Sequence, residues 1–168
     1  LKVEHENGED EMRMWLPAFK RVRRISAKKK GDSFMGSDLT FEDLSNRDLT
    51  HNNYKRLDDD MFDKVECFVL ETLPKKEAQS SYSRHVSWID KKTFNLLKEI
   101  SYDKRGVLEK DKKFEYELIK SFFILKRVLV NNTIKQHSTE IIFTDIQVDM
   151  GTKSDLFHEK NLRRLPKE

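Results

Sequence analysis

The sequence predicts a mainly β fold, an antiparallel meander of strands with few and short helices. Short runs of alternating apolar and polar residues recur along the chain, as strands with one buried face require. Turn residues separate these runs at the spacing of hairpins, and only two segments carry helix signals. With 168 residues and a mass of 20.1 kDa, the chain suits one domain with its own core.

The N-terminal part of the chain predicts a hairpin followed by a third strand. Asn7 and Gly8 form a strong turn signal, because both residues tolerate positive φ. Residues 12–16 alternate after this turn, Pro17 ends that strand, and residues 19–25 resume an extended pattern.

Residues 26–53 differ in composition from the strands and predict an irregular lid. A basic loop begins the segment, and glycine, serine and aspartate then mix with Phe34 and Met35. Thr40 stands three residues before Asp43, a variant of the capping box that predicts a short helix from Thr40. Such apolar content is unlike that of an ordinary solvent-exposed loop.

Beyond the lid the pattern predicts further strands and one last helix. The alternating runs occupy residues 65–72, 85–90, 97–102, 128–130 and 141–148. Residues 114–125 fit a helix or a strand by periodicity, and the hairpin rhythm on both sides favours a strand. Aspartates 58–60 predict a solvated turn, and Ser154 opens a short helix that ends near Pro166.

The composition excludes several classes of protein. Hydrophobic residues make up 36% and aromatic residues 10% of the chain, which argues against disorder. No apolar run approaches the length of a membrane-spanning helix. Cys67 is the one cysteine, so an internal disulfide is excluded, and we interpret this residue as a small buried filler.

We predict no catalytic residue, no metal ion and no cofactor. The sequence lacks a phosphate-binding glycine pattern, the H-E-x-x-H motif and a nucleophile elbow. A lipid hydrolase needs a nucleophile beside a base, and no such pair stands out. The widely separated histidines are interpreted as surface residues: His5, His51, His85, His137 and His158.

A basic cluster begins at Lys20 and extends through residue 30 with no acidic residue in it. One interpretation is a solvated strand edge, which charge protects from pairing with other chains. The other is docking to anionic headgroups or to an acidic partner. Aromatic residues are too few nearby for nucleic-acid stacking, so we predict no nucleic-acid partner. The candidate docking residues are Arg21, Arg23, Arg24, Lys28, Lys29 and Lys30.

The predicted sheet has more apolar surface than the two short helices can cover. Such a sheet closes on itself, meets a partner or holds a ligand. For each single residue, ordinary core packing remains an alternative.

Two sequence blocks resemble the LolA-like family of outer membrane lipoprotein-sorting proteins. Residues 15–25 read W-L-P-A-F-K-R-V-R-R-I, and residues 31–38 read G-D-S-F-M-G-S-D, followed by F-E-D-L at 41–44. Further matches follow in order at residues 71–74, 88–91, 102–106 and 155–162. The sequence departs from the family pattern at three positions, where Arg13, Phe41 and Leu125 stand for a common Trp, Tyr and Pro.

The resemblance implies a strongly curved antiparallel half-barrel with short helices and a lid on its concave face. Residues 1–168 are then one LolA-like domain, and the family's N-terminal helix and first strands precede Leu1. It also implies export to the periplasm and transport of lipids or lipoproteins toward the outer membrane. This subfamily often occurs beside inner-membrane exporters of the RND superfamily.

We therefore expect a non-catalytic periplasmic carrier that holds an acyl chain in an apolar groove, with residues 34–44 as a moving lid. The expected groove residues are Met12, Met14, Leu16, Phe34, Met35, Phe41, Ile100, Tyr102, Phe114, Tyr116 and Phe123. The alternative is an adaptor that docks an RND-type exporter through the basic cluster without lipid. Membrane contact is expected to be peripheral at most, and an edge exposed by missing strands predicts self-association.

Overall fold

The computed structural model describes residues 1–3, 11–26 and 29–163. The protein is mainly β, with 51% of residues in strands, and its antiparallel sheets do not close into a barrel. The predicted fold class is thereby confirmed. The chain divides into two compact units, residues 1–30 with 147–168, and residues 31–146.

The first unit contains a three-stranded antiparallel sheet in the order β1-β2-β3. Its strands are β1 Lys2–Val3, β2 Glu11–Leu16 and β3 Arg21–Ile25. Pro17 opens a single 3-10 turn between β2 and β3, as its fixed φ favours. The predicted Asn7-Gly8 turn lies outside the described residues.

The predicted C-terminal helix of the first unit forms as two consecutive 3-10 helices, Ser154–Phe157 and Glu159–Arg163. Its expected end near Pro166 lies outside the described residues. Arg163 stacks over the Trp15 ring at 5.4 Å, a cation–π contact within this unit.

The second unit is a seven-stranded antiparallel meander in which each strand pairs with the next along the chain. Hairpin connections suffice for this order. The strands are β4 Asn52–Phe62, β5 Val65–Pro74, β6 Arg84–Asp90, β7 Leu96–Tyr102, β8 Leu108–Ile119, β9 Phe122–Asn132 and β10 His137–Ile142.

Strand β4 corrects the prediction of a solvated turn at aspartates 58–60. These residues lie inside an edge strand, at an irregularity in its pairing with β5. An edge strand exposed to water tolerates charge, and charge there discourages pairing with other chains. Trp88 Nε1 donates to the Asp60 carboxylate at 2.9 Å, and Lys91 pairs with Asp59 at 2.7 Å.

Strands β8 and β9 confirm that residues 114–125 are extended. A turn at Lys120 and Ser121, with Lys120 at φ 57°, divides the stretch into two strands of one hairpin. The predicted strand over residues 141–148 is wrong beyond Ile142. One further backbone bond, from Phe143 N to Lys126 O, continues the ladder before Asp145 turns at φ 55°.

Residues 31–47, the covering segment, are irregular, as predicted for this part of the chain. Thr40 and Asp43 exchange the two expected capping bonds, Thr40 N to Asp43 Oδ2 at 2.8 Å and Asp43 N to Thr40 Oγ1 at 3.2 Å. The predicted helix is nevertheless wrong, since only one turn forms before the chain straightens. The Asp43 carboxylate is bound by the sheet, and Arg47 reaches Glu99 instead of continuing a helix.

The covering segment lies on one side of the seven-stranded sheet, here named the covered face. Three cross-strand rows of side chains make up this face, and the register defines them. Row one is His85, Ser101, Lys110, Asn132 and His137. Row two is Ser87, Glu99, Lys112, Val130 and Thr139. Row three is Phe114, Val128 and Ile141.

The buried core lies where the covering segment meets rows two and three. Leu39 from the segment packs with Val128 and Val130, and partly buried neighbours surround them: Phe34, Phe114, Leu125 and Ile141. Leu39 and Phe41 are buried, so the segment supplies core residues to this unit.

Candidate functional site

Rows one and two carry a buried cluster of charged side chains. Lys112 on β8 pairs with Glu99 on β7 at 2.7 Å and with Asp43 of the covering segment at 2.8 Å. Lys110 binds the other oxygen of Asp43 at 2.7 Å, and Arg47 grips both oxygens of Glu99 at 2.6 and 2.7 Å. The side chains of both lysines and both carboxylates are almost completely buried.

The electrostatics of the cluster keep Asp43, Glu99 and Lys112 charged. Burial by itself raises the pKa of Asp43, but the charges of Lys112 and Lys110 outweigh burial and hold that pKa far below its usual range. The pKa of Glu99 is lowered in the same way, because Lys112 and Arg47 overcome the cost of burial. The two carboxylates in turn raise the pKa of Lys112 despite its burial.

His85 is the neutral member of the cluster. Burial, followed by the Arg47 charge, lowers the pKa of His85 to about 3. An Arg47 nitrogen lies 3.3 Å from Nδ1, and since a guanidinium can only donate, Nδ1 accepts and the proton sits on Nε2. Ser101 Oγ lies 2.8 Å from the same Nδ1.

The prediction that all histidines lie at the surface is therefore wrong for His85. The apolar residues Val86 and Trp88 of the same strand suggested an ordinary apolar strand. The residues that alternate with them, His85 and Ser87, face a buried polar cluster.

Tyr82 joins the covering segment to row one. Its hydroxyl donates to Asp43 Oδ2 at 2.9 Å and accepts from Lys110 Nζ at 2.6 Å. Burial, followed by the Asp43 charge, raises the pKa of Tyr82, so the phenol stays protonated and remains a donor.

Two further carboxylates fasten the covering segment at separate points. Asp38 accepts from Thr139 Oγ1 at 2.8 Å and meets His137 Nδ1 at 2.6 Å, both on β10. Glu42 accepts from Ser81 N at 2.7 Å, in the loop before β6. Asp43, which binds the two lysines of β8, and Arg47, which binds Glu99 on β7, bring the points at which the segment is held on the sheet unit to four.

A cavity of about 450 Å³ lies between the covering segment and the covered face. At one end are members of the charged cluster, Asp43, Arg47, Glu99 and Lys112, whose ionic groups have protein partners. Three lining residues, Leu44, Asn46 and Phe143, are exposed and mark the mouth. The apolar wall is formed by Leu39, Leu44, Leu96, Phe114, Leu125, Val128, Ile141 and Phe143.

The structure separates the residues predicted to line one groove. Phe114 lines the cavity. Phe34 packs against the core and contacts buried Phe41 edge-to-face at 5.6 Å, whereas Met35 is exposed. Tyr116 and Phe123 lie on the covered face, on the part of the β8–β9 hairpin beyond row three.

Ile100 and Tyr102 lie on the sheet face opposite the cavity. Ile100 pairs in register with Val86, while its neighbour Glu99 faces the charged cluster. Because successive side chains in a strand alternate, Ile100 and Phe114 cannot share a surface. Met12, Met14 and Leu16 are half-buried on β2 in the first unit, and their role in ligand binding stays a prediction.

The charged cluster is absent from the predicted site, although β8 carries a signal for it. Lys110 and Lys112 alternate in phase with Phe114 and Tyr116, so the charged and the apolar residues share one face. A lysine in that phase indicates either an exposed face or a buried ion pair. Its partners, Asp43 and Glu99, lie far away in sequence.

The predicted docking residues belong to the first unit. Arg21, Arg23, Arg24 and Lys29 are exposed, Lys30 is half-buried, and Lys28 lies outside the described residues. Their docking role stays a prediction. Cys67 is completely buried, as expected for a hydrophobic filler.

The described part of the chain contains neither a grouping of metal ligands nor a membrane-spanning helix. In residues 1–3, 11–26 and 29–163, no three His, Cys, Asp or Glu side chains are grouped to hold a metal ion. Within the same ranges, every helix is too short or too polar to cross a membrane.

Comparison with known proteins found a family model and three solved structures. Residues 1–164 match the model of a family described as an uncharacterized protein. A domain named an outer membrane lipoprotein-sorting protein, from Vibrio parahaemolyticus, is 32% identical with a TM-score of 0.88, over 97% of this chain and 70% of its own. No curated protein matches.

The other two structures extend the likeness. A DUF1329 family protein from Desulfovibrio piger is 33% identical with a TM-score of 0.86, over 93% of this chain and 66% of its own. A LolA superfamily protein from Nitrosomonas europaea has a TM-score of 0.60 at 16% identity, over 87% of this chain and 68% of its own, and shows the shared fold alone. The chain thus spans about two thirds of the length of these proteins.

Proposed function

Because the chain belongs to the LolA-like family of outer membrane lipoprotein-sorting proteins, we propose that it carries the acyl chain of a lipid or lipoprotein through the periplasm. The observation that supports this proposal is the cavity, whose volume of about 450 Å³ is typical of small-molecule sites. The wall of the cavity away from the charged cluster is apolar. The charged groups at the other end form ion pairs with one another.

The binding energy comes from burial of methylene groups. Each CH₂ moved from water into an apolar site gains roughly 0.8 kcal/mol, so ten of them supply about 8 kcal/mol before the cost of association. No bond is made or broken in this function. Cargo enters and leaves at the mouth, between Leu44 and Phe143.

The covering segment is a wall of this site with four fixed points, at Asp38, Glu42, Asp43 and Arg47. A lid movement of residues 34–44 would separate Asp43 from both lysines and Asp38 from β10. Removing one partner from a buried ion pair costs about 3–5 kcal/mol, so we propose that cargo passes the mouth while Asp43 stays bound.

A matched pair of substitutions on β10 tests the proposal. Ile141 lines the cavity, and its neighbour Ile142 is exposed on the other face. Ile141→Trp fills the cavity and is expected to weaken binding of a dansyl-labelled fatty acid at least tenfold, a loss of about 1.4 kcal/mol, whereas Ile142→Trp leaves it unchanged. Native mass spectrometry of the purified protein should find a copurifying lipid. Equal binding by both variants, or no lipid bound by the unaltered protein, contradicts the carrier.

The identity of the loading partner is a separate proposal. An RND-superfamily exporter as donor, docked at the basic cluster, predicts that charge reversal at Lys28, Lys29 and Lys30 abolishes the complex and leaves fatty-acid binding intact. Loss of partner binding in a protein that never binds lipid would favour the adaptor instead. Sedimentation of the chain at high concentration tests the expected self-association.

A further inference from the structure

The β8–β9 hairpin extends beyond both of its neighbours in the sheet. The pairing of β7 with β8 reaches Lys113, and the pairing of β10 with β9 reaches Arg127. Further out, the ladder pairs are Glu117 with Ile124, Leu118 with Phe123, and Ile119 with Phe122. Two strands that pair only with each other are marginally stable in water, so this end of the hairpin gains stability from being covered.

The outer part of the hairpin, residues 118–125 and here named the hairpin tip, is apolar on both faces. Its sequence is L-I-K-S-F-F-I-L, in which Lys120 is the one charged residue. Leu118, Phe122 and Phe123 are 58%, 43% and 48% exposed. Because Leu118 and Phe123 face one side and Ile119 and Phe122 the other, water contacts apolar side chains all around the tip.

Paired charges surround the base of the tip. Glu117 and Lys126 form a salt bridge of 2.9 Å, and Arg127 pairs with both Glu115 and Glu140. The polarity therefore changes along the hairpin, from paired ions at the base to apolar side chains at the tip, with Lys120 at the turn. A bilayer has the same order, from charged headgroups to acyl chains, and a long lysine side chain can reach back to the headgroups.

The covered-face side of the tip is continuous with the cavity. Phe114 and Leu125 line the cavity, and Tyr116, Leu118 and Phe123 follow them in register on the same face. An apolar strip thus runs from the cavity to the exposed end of the hairpin.

We propose that the hairpin tip inserts into the surface of a lipid bilayer and passes the acyl chain between bilayer and cavity, an inference that rests on the proposed carrier function. From Glu117 to Lys120 the strand advances roughly 10 Å, at about 3.3 Å per residue. This length matches the depth of about 5–10 Å to which interfacial elements enter a membrane.

A second copy of the chain is a poorer occupant. A stable protein interface takes about 20–30 residues from each partner. The tip has eight residues, 118–125, and the ion pairs at its base already satisfy one another. A bilayer surface requires no matching shape and accepts an apolar element of this size.

Vesicle flotation tests the proposal with a triple variant at the tip and a double variant as its control. Leu118→Ser, Phe122→Ser and Phe123→Ser together alter the tip. The control, Val107→Ser with Ile134→Ser, alters turn residues that are 48% and 47% exposed at the other end of the same strands. With vesicles of phosphatidylethanolamine and phosphatidylglycerol, the tip variant is expected to bind at least tenfold more weakly, and the control variant as the unaltered protein does.

Depth is measured with a reporter at the same positions. Phe122→Trp is expected to be quenched by bromine-labelled acyl chains, and Ile134→Trp is not, against the common background of Trp15 and Trp88. The proposal is overturned if the unaltered protein does not bind vesicles or if the tip variant floats with them equally well. It is also overturned if sedimentation shows that the unaltered protein is a dimer and the tip variant a monomer.

Soluble fatty acid separates this proposal from the carrier function. Phe122→Ser alone alters the tip on the face opposite the cavity and should bind dansyl-labelled fatty acid in solution as before, and Ile141→Trp should lose fatty acid but keep vesicle binding. Vesicle binding without any fatty-acid binding would refute the carrier function and retain the membrane contact. Fatty-acid binding without vesicle binding would refute the membrane contact and retain the carrier function.

Discussion

Two regions of the same sheet face pack differently under the covering segment, one filled by ion pairs and the other left with a cavity. Rows one and two place Glu99, Lys110 and Lys112 against Asp43 and Arg47, and every ionic group finds a partner. Row three places Phe114, Val128 and Ile141 against Leu39, and a cavity remains beside them. The sheet geometry is common to both regions, and only the side chains differ.

The charged region fixes the covering segment in place without filling the space behind it. An apolar interface would draw the covering segment down until the gap closed, because dispersion favours close packing. Buried ion pairs instead have a defined geometry, and breaking one leaves an unpaired charge in the interior. The charged region thus positions the segment, and the apolar region is left to a ligand.

Breaking the charged region should produce the largest effect. Lys112→Met leaves Asp43 and Glu99 with one fewer partner in the interior, and we expect a loss of about 3–5 kcal/mol in the free energy of unfolding. Urea denaturation measures it. The matched change Lys113→Met, on the opposite face, should cost less than about 1 kcal/mol; similar losses for both would mean that the cluster has no special role.

The pH dependence of stability should identify His85. Its pKa is about 3 in the folded protein against an ordinary 6.5, so below 6.5 the unfolded chain takes up a proton that the folded protein refuses. Stability is therefore full above pH 6.5 and falls by about 1.4 kcal/mol per pH unit as the pH is lowered toward 3.

The carboxylates add to this loss only at lower pH. The lowered pKa values of Asp43 and Glu99 place their contribution below the ordinary carboxyl range, so the slope between about pH 5 and 6.5 reports His85. Urea midpoints over that range should flatten in His85→Gln and keep their slope in His51→Gln, which removes a more exposed imidazole. An unchanged slope in His85→Gln would contradict a buried neutral histidine.

Enlarging the apolar region should cost less than breaking the charged one. Leu125→Ala removes a partly buried residue that already borders a cavity, and we expect about 2 kcal/mol, the low end for such a change. Fatty-acid binding should weaken in the same variant. A thermal scan with and without fatty acid measures both, and stabilisation by ligand that matches the unaltered protein would contradict a role for Leu125 in the site.

The smallest effect is expected at an ion pair outside both regions. Glu140→Gln removes one partner of Arg127 at the exposed edge of the sheet, where water screens the pair. The urea midpoint should not change measurably. A clear loss would mean that exposed pairs contribute as much as the buried cluster and would remove the contrast.

The fold was predictable because hairpins leave local signals. Alternation identified strands β5, β6 and β7 nearly residue by residue, since each follows a turn and buries one face. Strand β4 was missed because it is an edge strand with charged residues on both sides, so alternation is weak. The 40–44 helix failed because a capping box is a local preference that the contacts of Asp43 with β8 overrode.

The candidate site was predictable only in part. Phe114 and the importance of the 34–44 stretch followed from apolar content, but the face of Ile100 depended on register. Register shifts between β6 and β7, and again between β7 and β8, decide which residues of neighbouring strands share a face. A shift by one residue exchanges the two faces, and no local pattern records where it occurs.

By itself the sequence determined the class of fold, the meander of hairpins and the family, because these depend on residues close together along the chain. The tertiary structure alone decided that Lys112 meets Asp43 and Glu99, that the covering segment is fastened at four points, and that a cavity stays open beside row three. Those outcomes join residues that are distant in sequence; Asp38 and Thr139, for example, are 101 positions apart. The energy of a buried charge depends on which partner the fold brings within hydrogen-bonding distance, and spacing along the chain does not contain that information.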